Sequence, residues 1–179
     1  MSMETRGLQT ALPDVTVTDL QIPDLPKVKT LLDKNRDFFK EGGLDAPLLY
    51  TMTERELKGE DKRPGRRMGI WLPDDLIGFV GVVPYGPPHK QEIVIGIDEH
   101  YTGKNIAGAV IKVVADQELE NGNDVVGEVE TDNNRGKQMV KKLGCDDAWY
   151  DRGQGRRVYM KRSRNTSADA PTRVCNLLK

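Results

Sequence analysis

The sequence is poor in cysteine, in long apolar runs and in excess charge of either sign. Its two cysteines, Cys145 and Cys175, are too few for a disulfide framework and fit a reducing compartment. No run approaches the roughly 18 apolar residues of a membrane-spanning helix. The first residues also lack the apolar stretch of a signal peptide. We therefore expect a cytoplasmic protein that does not enter a membrane.

The charge balance argues against a nucleic-acid-binding protein. Lysine and arginine number 27 and aspartate and glutamate number 28, so the net charge is -1, and only 6% of the residues are aromatic. A nucleic-acid binder usually carries a basic excess and a recognisable motif, and the sequence has neither. Nucleic acid is therefore an unlikely partner, and no metal site is predicted.

A length of 179 residues is enough for one domain with a sizeable core, but not for two. We expect a flexible N-terminal arm at 1–14, a domain at 15–162 and a flexible C-terminal tail at 163–179. A homodimer is compatible with this organisation, although the sequence does not define the oligomeric state.

Alternating β-branched residues and helical periodicities predict a mixed α/β domain of the α+β kind. Its central sheet is expected to be mostly antiparallel, with about six to seven strands and helices on both faces. The unit at 92–131 is strand, helix, strand, and its two strands should be parallel. Residues 44–67 have weak helical signal and are expected to form a flexible segment that faces substrate. The predicted strands are 15–20, 68–72, 76–83, 92–98, 125–131 and a hairpin at about 148–162, and the main helices begin near Leu25, Arg36, Asn105 and Asn134.

The segment YTGKNIAGAVIKVV, 101–114, follows the strand EIVIGID and opens a helix. A helix that begins there leaves up to four backbone N–H groups unpaired beyond the strand end. Small residues let a ligand approach these groups, and phosphate or pyrophosphate suits them, with Lys104 adding a charge. The alternative is that Gly103 only makes a turn and Gly108 only lets the helix pack closely on a strand.

This arrangement resembles the GNAT acyltransferase superfamily. In that family the strand is followed by Gln/Arg-x-x-Gly-x-Gly/Ala, which opens the long helix and holds the pyrophosphate of coenzyme A. Here Ala107 fits the last position, whereas Thr102 replaces the basic or amide residue and Asn105 replaces the first glycine. Asn tolerates unusual backbone angles better than most residues. The matching residues are Thr102, Gly103, Lys104, Asn105, Ile106 and Ala107.

A second segment, EVETDNNRGKQMVKKLGC, is similar to another signature of the family, a strand followed by Asn and a short helix that ends in Leu-Gly-Phe. Asn133 takes the position of the Asn, and Leu143-Gly144-Cys145 takes that of the end. The tyrosine that commonly protonates the thiolate of coenzyme A in this family is replaced by Val140. The resemblance spans roughly residues 15–162.

The resemblance implies transfer of an acetyl group from acetyl-CoA to an amine of a small molecule or protein. In this family the sheet splits between the two strands that match 92–98 and 125–131, and a backbone N–H of the first strand binds the thioester oxygen. That donor would lie near Gly96 or Ile97. The implied cofactor-binding residues are Ile95, Ile97, Thr102, Gly103, Lys104, Asn105, Ile106, Ala107, Gly108 and Asn133.

Glu128 is the first choice for the general base, because several family members carry an acidic residue at this distance before the Asn. In a regular strand it shares a face with Val126 and Glu130, so the face suits either a core or a cleft. The alternative is a solvated carboxylate with no role in the reaction. Further candidates for the base are Asp98, Glu99, Glu92 and His100, and those for the acid are Tyr150, Tyr159 and Tyr101.

Two basic segments, 61–67 and 152–157, would attract an acidic acceptor or cover the 3′ phosphate of coenzyme A, unless they are solvated faces. The acceptor site itself is expected from residues 36–67 and the last hairpin. The sequence does not identify the amine. The loop and the missing tyrosine also fit a second hypothesis, a non-catalytic GNAT-like module with a structural or interaction role.

Overall fold

One mixed sheet of eight strands forms the centre of the domain. A computed structural model describes residues 7–61, 65–86, 89–151 and 155–163, with the backbone alone at 147–151. The strands lie in the order β1-β2-β3-β4-β5-β6-β8-β7, and every neighbouring pair is antiparallel except β5 and β6. The strands are β1 (Leu8–Gln9), β2 (Thr16–Asp19), β3 (Arg66–Leu72), β4 (Asp75–Pro84), β5 (Lys90–Ile97), β6 (Asp124–Glu130), β7 (Asp146–Asp151) and β8 (Arg156–Lys161).

Helices cover both faces of this sheet, as predicted. They are α1 (Leu25–Lys34), α2 (Arg36–Glu41), α3 (Ala46–Leu57), α4 (Ile106–Glu120) and α5 (Asn134–Lys142). On one face, Leu31 and Phe39 from α1 and α2 pack against Phe79 of β4. On the other face, Val110 and Val114 of α4 pack against strands β3 to β5. Among the helices of the described residues, none has both the length and the apolar character that crossing a membrane requires.

The residues predicted as a flexible segment, 44–67, contain the helix α3, so that prediction was wrong. Asp45 caps the helix by accepting a hydrogen bond from the Leu48 N–H, and Pro47 lies in the first turn, where the missing donor costs nothing. Only Ala46 and Thr53 of α3 are buried. The apolar stripe is therefore narrow, which explains why the helical periodicity of this segment is weak.

Both expected termini contribute ordered residues. The strand β1 lies within the predicted arm 1–14 and raises the strand number above the expected six to seven. At the other end, the first residue of the predicted tail, Ser163, is buried. Its N–H donates to Asp124 Oδ1 at 2.9 Å and its hydroxyl donates to the Leu119 carbonyl at 2.9 Å. Residues 164–179 of that tail lie outside the described residues.

The parallel pair β5 and β6 stays together over a short distance only. Lys90, Gln91 and Glu92 pair with Asp124, Val125 and Val126. Beyond this point β5 continues to Ile97 beside β4, and β6 continues to Glu130 beside β8. The two strands therefore separate, and a gap opens in the middle of the sheet.

Substitution of Gly96 tests how closely the rings of Phe79 on β4 and Phe39 on α2 pack over β5. A Cβ at this position would lie 2.5 Å from Phe79 Cε1 and 3.2 Å from Phe39 Cε1, both on buried rings. We expect Gly96→Ala to lower the free energy of unfolding by about 1–3 kcal/mol, because the rings have little room to move. Urea denaturation measures this change.

Gly127→Ala is the matched control, since its Cβ would meet only Val140 Cγ1 at an ordinary 3.4 Å. An equal loss of stability in the two variants would contradict the close packing of the Phe79 and Phe39 rings over β5.

Candidate active site

The gap between β5 and β6 exposes backbone donors of β5. The Asp98 N–H donates to the Ile77 carbonyl at 2.8 Å, on the β4 side. Backbone groups of a strand alternate in direction, so the Gly96 N–H also points to β4, where the register pairs Gly96 with Phe79. The N–H groups of Ile95 and Ile97 point the other way, into the gap. Of the two predicted oxyanion donors, the geometry therefore favours Ile97, and Gly96 is corrected to a ladder residue.

The loop after β5 has the backbone conformation that an anion-binding turn requires. Gly103 has φ +79° and Asn105 has φ +60°, so both are left-handed. Asn is among the few residues other than Gly that adopt this conformation at low cost, which explains how Asn105 replaces a glycine. Asn105 is the N-cap residue of α4, and the first helical bond runs from the Ala109 N–H to the Asn105 carbonyl at 3.1 Å.

The donors of this loop fit a pyrophosphate. The N–H groups of Ile106, Ala107 and Gly108 precede the first helical bond and have no partner within the helix. Lys104 lies with its Nζ 4.8 Å from the ring centroid of Tyr101, at the start of the same loop. Thr102 turns its hydroxyl inward to the Glu99 carbonyl at 2.8 Å, so its side chain closes the turn.

The end of α1 fixes the beginning of this loop. Asp98 Oδ2 accepts a hydrogen bond from Lys34 Nζ at 2.8 Å, and Asn35 Oδ1 accepts one from the Glu99 N–H at 3.0 Å. Burial raises the pKa of Asp98, but hydrogen bonds from Lys34, His100 and Asn35 outweigh it and lower the pKa to about 2. Such a weak base suits structure rather than catalysis. His100 and Glu99 are exposed, and His100 Nδ1 lies 3.1 Å from Asp98 Oδ1.

Glu128 points into a half-buried cleft and is already partnered. Its Oε1 accepts a hydrogen bond from the Tyr85 hydroxyl at 2.9 Å, and Arg156 Nη1 lies 3.3 Å from Oε2. Arg156 also approaches Glu130 at 3.8 Å. The side chain of Glu128 is 16% exposed, so it is not a solvated strand carboxylate.

Glu92 lies at the point where the strands separate and has a raised pKa. It pairs in register with Val126, two residues before Glu128, so the two glutamates share one face of the sheet. Burial raises the pKa of Glu92 and the charge of Glu128 raises it further, while Arg156 and Arg67 oppose the shift, and the result is about 7. The sequence had placed Glu92 only among the further candidates.

Tyr85 and Arg156 were not foreseen as site residues. Tyr85 follows β4 in a loop, and Arg156 stood in a basic segment expected to face an acceptor or a phosphate. Their meeting at Glu128 depends on the registers of β4 with β5 and of β6 with β8. Nothing local in the sequence specifies those registers, so no signal was available.

The second signature forms the predicted short helix, with a cap at its N-terminus, but it contributes no general acid to the site. Asn133 Oδ1 accepts a hydrogen bond from the Gly136 N–H at 2.8 Å and caps α5. Val140, in the position of the family tyrosine, is 7% exposed and packs with Val129 and Tyr159. Tyr159 is 2% exposed in the same cluster and packs rather than reacts. The side chain of Tyr150 lies outside the described residues.

One face of the gap is covered by α2. A Cβ on Gly43, just after this helix, would lie 2.5 Å from Glu130 Oε1, and Phe39 packs over Gly96. The helix thus spans from β5 to β6, beside a cavity of about 400 Å³ lined by Arg36 and Lys40.

Three arginines of the predicted basic segments form ion pairs within the fold. Arg66 pairs with Asp19 at 2.6 Å, and Arg67 pairs with Glu56. Arg156 pairs with Glu128. Residues 62–64 and 152–154 lie outside the described residues. Among the described members of these segments, Arg66, Arg67 and Arg156 therefore have carboxylate partners within the chain.

A family model decides the identity of this fold. The model described as the acetyltransferase (GNAT) family matches residues 28–145, about two thirds of the chain. The chain belongs to the GNAT acetyltransferase family. The match lies inside the predicted domain 15–162 and includes the gap, the loop before α4 and the cap of α5. No curated protein sequence matches the chain.

Solved structures of GNAT enzymes share the whole fold at low identity. RimL, a ribosomal L7/L12 α-N-protein acetyltransferase in complex with coenzyme A, is 13% identical with a TM-score of 0.75, and the match covers 89% of this chain and 99% of that one. A ribosomal-protein-S5-alanine acetyltransferase from Vibrio fischeri is 12% identical, with a TM-score of 0.69 and coverages of 89% and 97%. The microcin C7 self-immunity acetyltransferase MccE, in complex with acetyl-CoA and AMP, is 12% identical, with a TM-score of 0.69 and coverages of 84% and 93%.

Membership of the family makes the chain an N-acetyltransferase that uses acetyl-CoA as co-substrate, as the resemblance in the sequence implied. The mixed sheet with helices on both faces is likewise confirmed. The roles of individual residues stay predictions.

Asn105 provides a test of the anion-binding loop. Asn105→Val should weaken the binding of coenzyme A by about tenfold or more, because a β-branched residue resists the left-handed conformation that directs the loop donors. Asn105→Gly should keep the affinity, since glycine adopts φ +60° freely. Calorimetric titration with coenzyme A measures both.

A matched control is His89→Val, another left-handed position outside this loop, with φ +67°. If Asn105→Val binds as tightly as the unchanged protein while the fold is intact, the loop does not hold the pyrophosphate.

Proposed function

We propose that the chain acetylates a cationic amine at the gap between β5 and β6, with Glu92 as general base and the Ile97 N–H as the donor to the acetyl oxygen. The observation that supports this most is the position of Glu92. It is the last residue of β5 that pairs with β6, and its pKa of about 7 lets it exchange a proton near neutral pH.

The donor side of the site would be held by backbone groups. The N–H groups of Ile106, Ala107 and Gly108 would bind the pyrophosphate, and those of Ile95 and Ile97 would bind groups of the arm that lies in the gap. When bound, acetyl-CoA supplies the activated acetyl group as a thioester. The Ile97 N–H then donates to the acetyl oxygen and stabilises the negative charge that develops there.

The acceptor side would be formed by carboxylates. Glu128 and Glu130 project from β6 on the same face as Glu92, and Arg156 pairs with both of them. The carboxylates outnumber this cation, and the remaining negative charge favours a protonated amine. The Glu92 carboxylate accepts a proton from that nitrogen and so frees its lone pair. The nitrogen then forms a bond to the acetyl carbon, the carbon–sulfur bond breaks, and the second proton that the nitrogen loses neutralises the departing thiolate. Both a small molecule and a protein terminus meet these requirements.

The protein offers no tyrosine acid at the usual place. Val140 carries no proton, and Tyr159 is packed in the cluster below it. General acid catalysis is worth about 10²–10⁴ in rate, and a thiolate leaves without much help, so turnover does not require it. The missing acid is the feature behind the second hypothesis, a non-catalytic module that keeps the fold, and membership of the acetyltransferase family favours the enzyme over it.

Two earlier expectations remain predictions. A cytoplasmic location follows from the few cysteines and from a reaction that consumes acetyl-CoA. A homodimer remains one compatible assembly.

Glu92→Gln is the direct test of the base. The variant should lose about 10²-fold or more in kcat, because Gln has the shape of Glu but accepts no proton. The fall of the rate below about pH 7 should disappear in the residual activity, since Glu92 titrates there. The affinity for coenzyme A should be unchanged. Steady-state kinetics across pH measure the first two, and calorimetry measures the third.

The control is Glu99→Gln, an exposed glutamate that follows the other end of the same strand. A full-rate Glu92→Gln enzyme would overturn the assignment and return attention to Glu128, the first choice from sequence.

The effect of Glu92→Gln on stability can be predicted independently of catalysis. The folded state raises the pKa of Glu92 from 4.5 to about 7, so folding is favoured by its protonated form. That contribution is complete below about pH 4.5 and is lost as the pH rises through 7. Glu92→Gln should therefore be more stable than the unchanged protein by about 2–3 kcal/mol near pH 8, and similar to it near pH 4.5.

Urea denaturation at the two pH values tests this. An equal difference at both would show that Glu92 has an ordinary pKa.

A further inference from the structure

A buried ion pair lies beside the proposed base and has no part in the mechanism so far. Arg67 on β3 bonds Glu56 on α3 through two hydrogen bonds, from Nε to Oε2 and from Nη2 to Oε1, the second at 3.2 Å. The side chains are 4% and 6% exposed. A buried ion pair generally adds little to stability compared with apolar residues of similar shape. Its presence here therefore suggests another role.

The path of the Arg67 side chain leads toward Glu92. Arg67 pairs with Gly81 of β4, and Gly81 pairs with Val94 of β5, two residues from Glu92 on the same face. A Cβ on Gly81 would collide with Arg67 Nη1. The guanidinium therefore crosses β4 over Gly81, in the direction of β5, and Glu56 meets it from α3.

We propose that Glu56 is a positioning residue for the acetyl transfer, because it holds the Arg67 guanidinium and so prevents this cation from pairing with Glu92. This inference rests on the proposed role of Glu92. With Glu56 in place, the guanidinium is bonded to α3, and it acts on Glu92 only by its charge and not as a direct partner. Without Glu56, an uncompensated cation would favour the charged form of Glu92 and make it a poorer proton acceptor.

Other polar and charged groups also surround Glu92, and none of them belongs to the Arg67–Glu56 pair. Glu128 faces it from β6, Arg156 from β8 and the Tyr85 hydroxyl from the loop after β4, while Lys90 lies two residues earlier on the same face of β5. Burial and Glu128 raise the pKa of Glu92, and Arg156 and Arg67 lower it. Arg67 thus already acts on Glu92 in the intact protein.

The experiment uses three variants of the full chain. Glu56→Gln removes the charge that holds Arg67, and the double variant Glu56→Gln with Arg67→Met removes both charges. Glu54→Gln is the control, because Glu54 forms an exposed pair with Lys58 on the same helix. Carbon NMR of the Glu92 side-chain carboxyl gives its pKa directly, and the pH dependence of kcat/KM gives the acid limb of the reaction.

We expect Glu56→Gln to lower both the Glu92 pKa and the acid limb by about one pH unit. The double variant should return both at least to the values of the unchanged protein, because it also removes the lowering effect of Arg67, and Glu54→Gln should leave both unmoved. Loss of packing alone would lower the rate without this downward shift and its reversal. If Glu56→Gln does not fold, Glu56→Asp, which keeps the charge but shortens its reach, should give a smaller shift in the same direction.

An unmoved Glu92 pKa in folded Glu56→Gln would overturn the inference, as would a shift that the double variant does not reverse. A shift in the NMR titration with an unmoved acid limb would support the action of Glu56 through Arg67. It would overturn Glu92 as the base, so the failures of the two proposals are distinguishable.

Discussion

The separation of β5 from β6 after Glu92 and Val126 is the constraint on which the site depends. Two parallel strands that diverge leave backbone donors without ladder partners, here the N–H groups of Ile95 and Ile97. An unsatisfied buried donor costs about 1–3 kcal/mol, so such an edge in the middle of a sheet favours a ligand that can pair with it. The antiparallel neighbours β4 and β8 hold the two strands apart. The gap is thus a fixed feature of the fold.

The same separation determines where the proposed reactive groups lie. Glu92 stands at the last paired position, and the carboxylates of β6 follow on the same face. The helix α2 closes this face, with Phe39 over Gly96 and Gly43 against Glu130. On the other side of the gap, the left-handed Asn105 turns the chain into α4, whose first N–H groups lie free for an anion. The proposed donor site and the proposed acceptor site therefore meet at one break in the sheet.

The sequence predicted what local chemistry determines. The left-handed tolerance of Asn105, the short helix that follows Asn133 and the strand–helix–strand unit all rest on neighbours within a few residues, and all are found in the structure. The helix α3 was missed because its buried face is too narrow to give a periodic signal. A feature was therefore predictable where adjacent residues specify it, and α3 lacks such a local signal.

The features that sequence reasoning could not predict depend on register and on burial. Which N–H of β5 faces the gap is decided by the pairing with β4, and that pairing moves the choice from Gly96 to Ile97. The preference for Glu92 over Glu128 comes from the partners Tyr85 and Arg156, which belong to distant segments. The pKa of a strand carboxylate depends on its spatial neighbours, and the local sequence does not specify them.

Amide hydrogen exchange at Ile95, Gly96 and Ile97, measured by NMR with and without acetyl-CoA, tests the role of the gap most directly. In the free protein, the amide of Gly96 should be protected by β4, while those of Ile95 and Ile97 exchange faster. Acetyl-CoA should slow the exchange at Ile95 and Ile97 and leave Gly96 unchanged. If Ile97 is already protected without ligand, or if saturating acetyl-CoA leaves its exchange unaltered, the gap does not bind the acetyl donor in the way described.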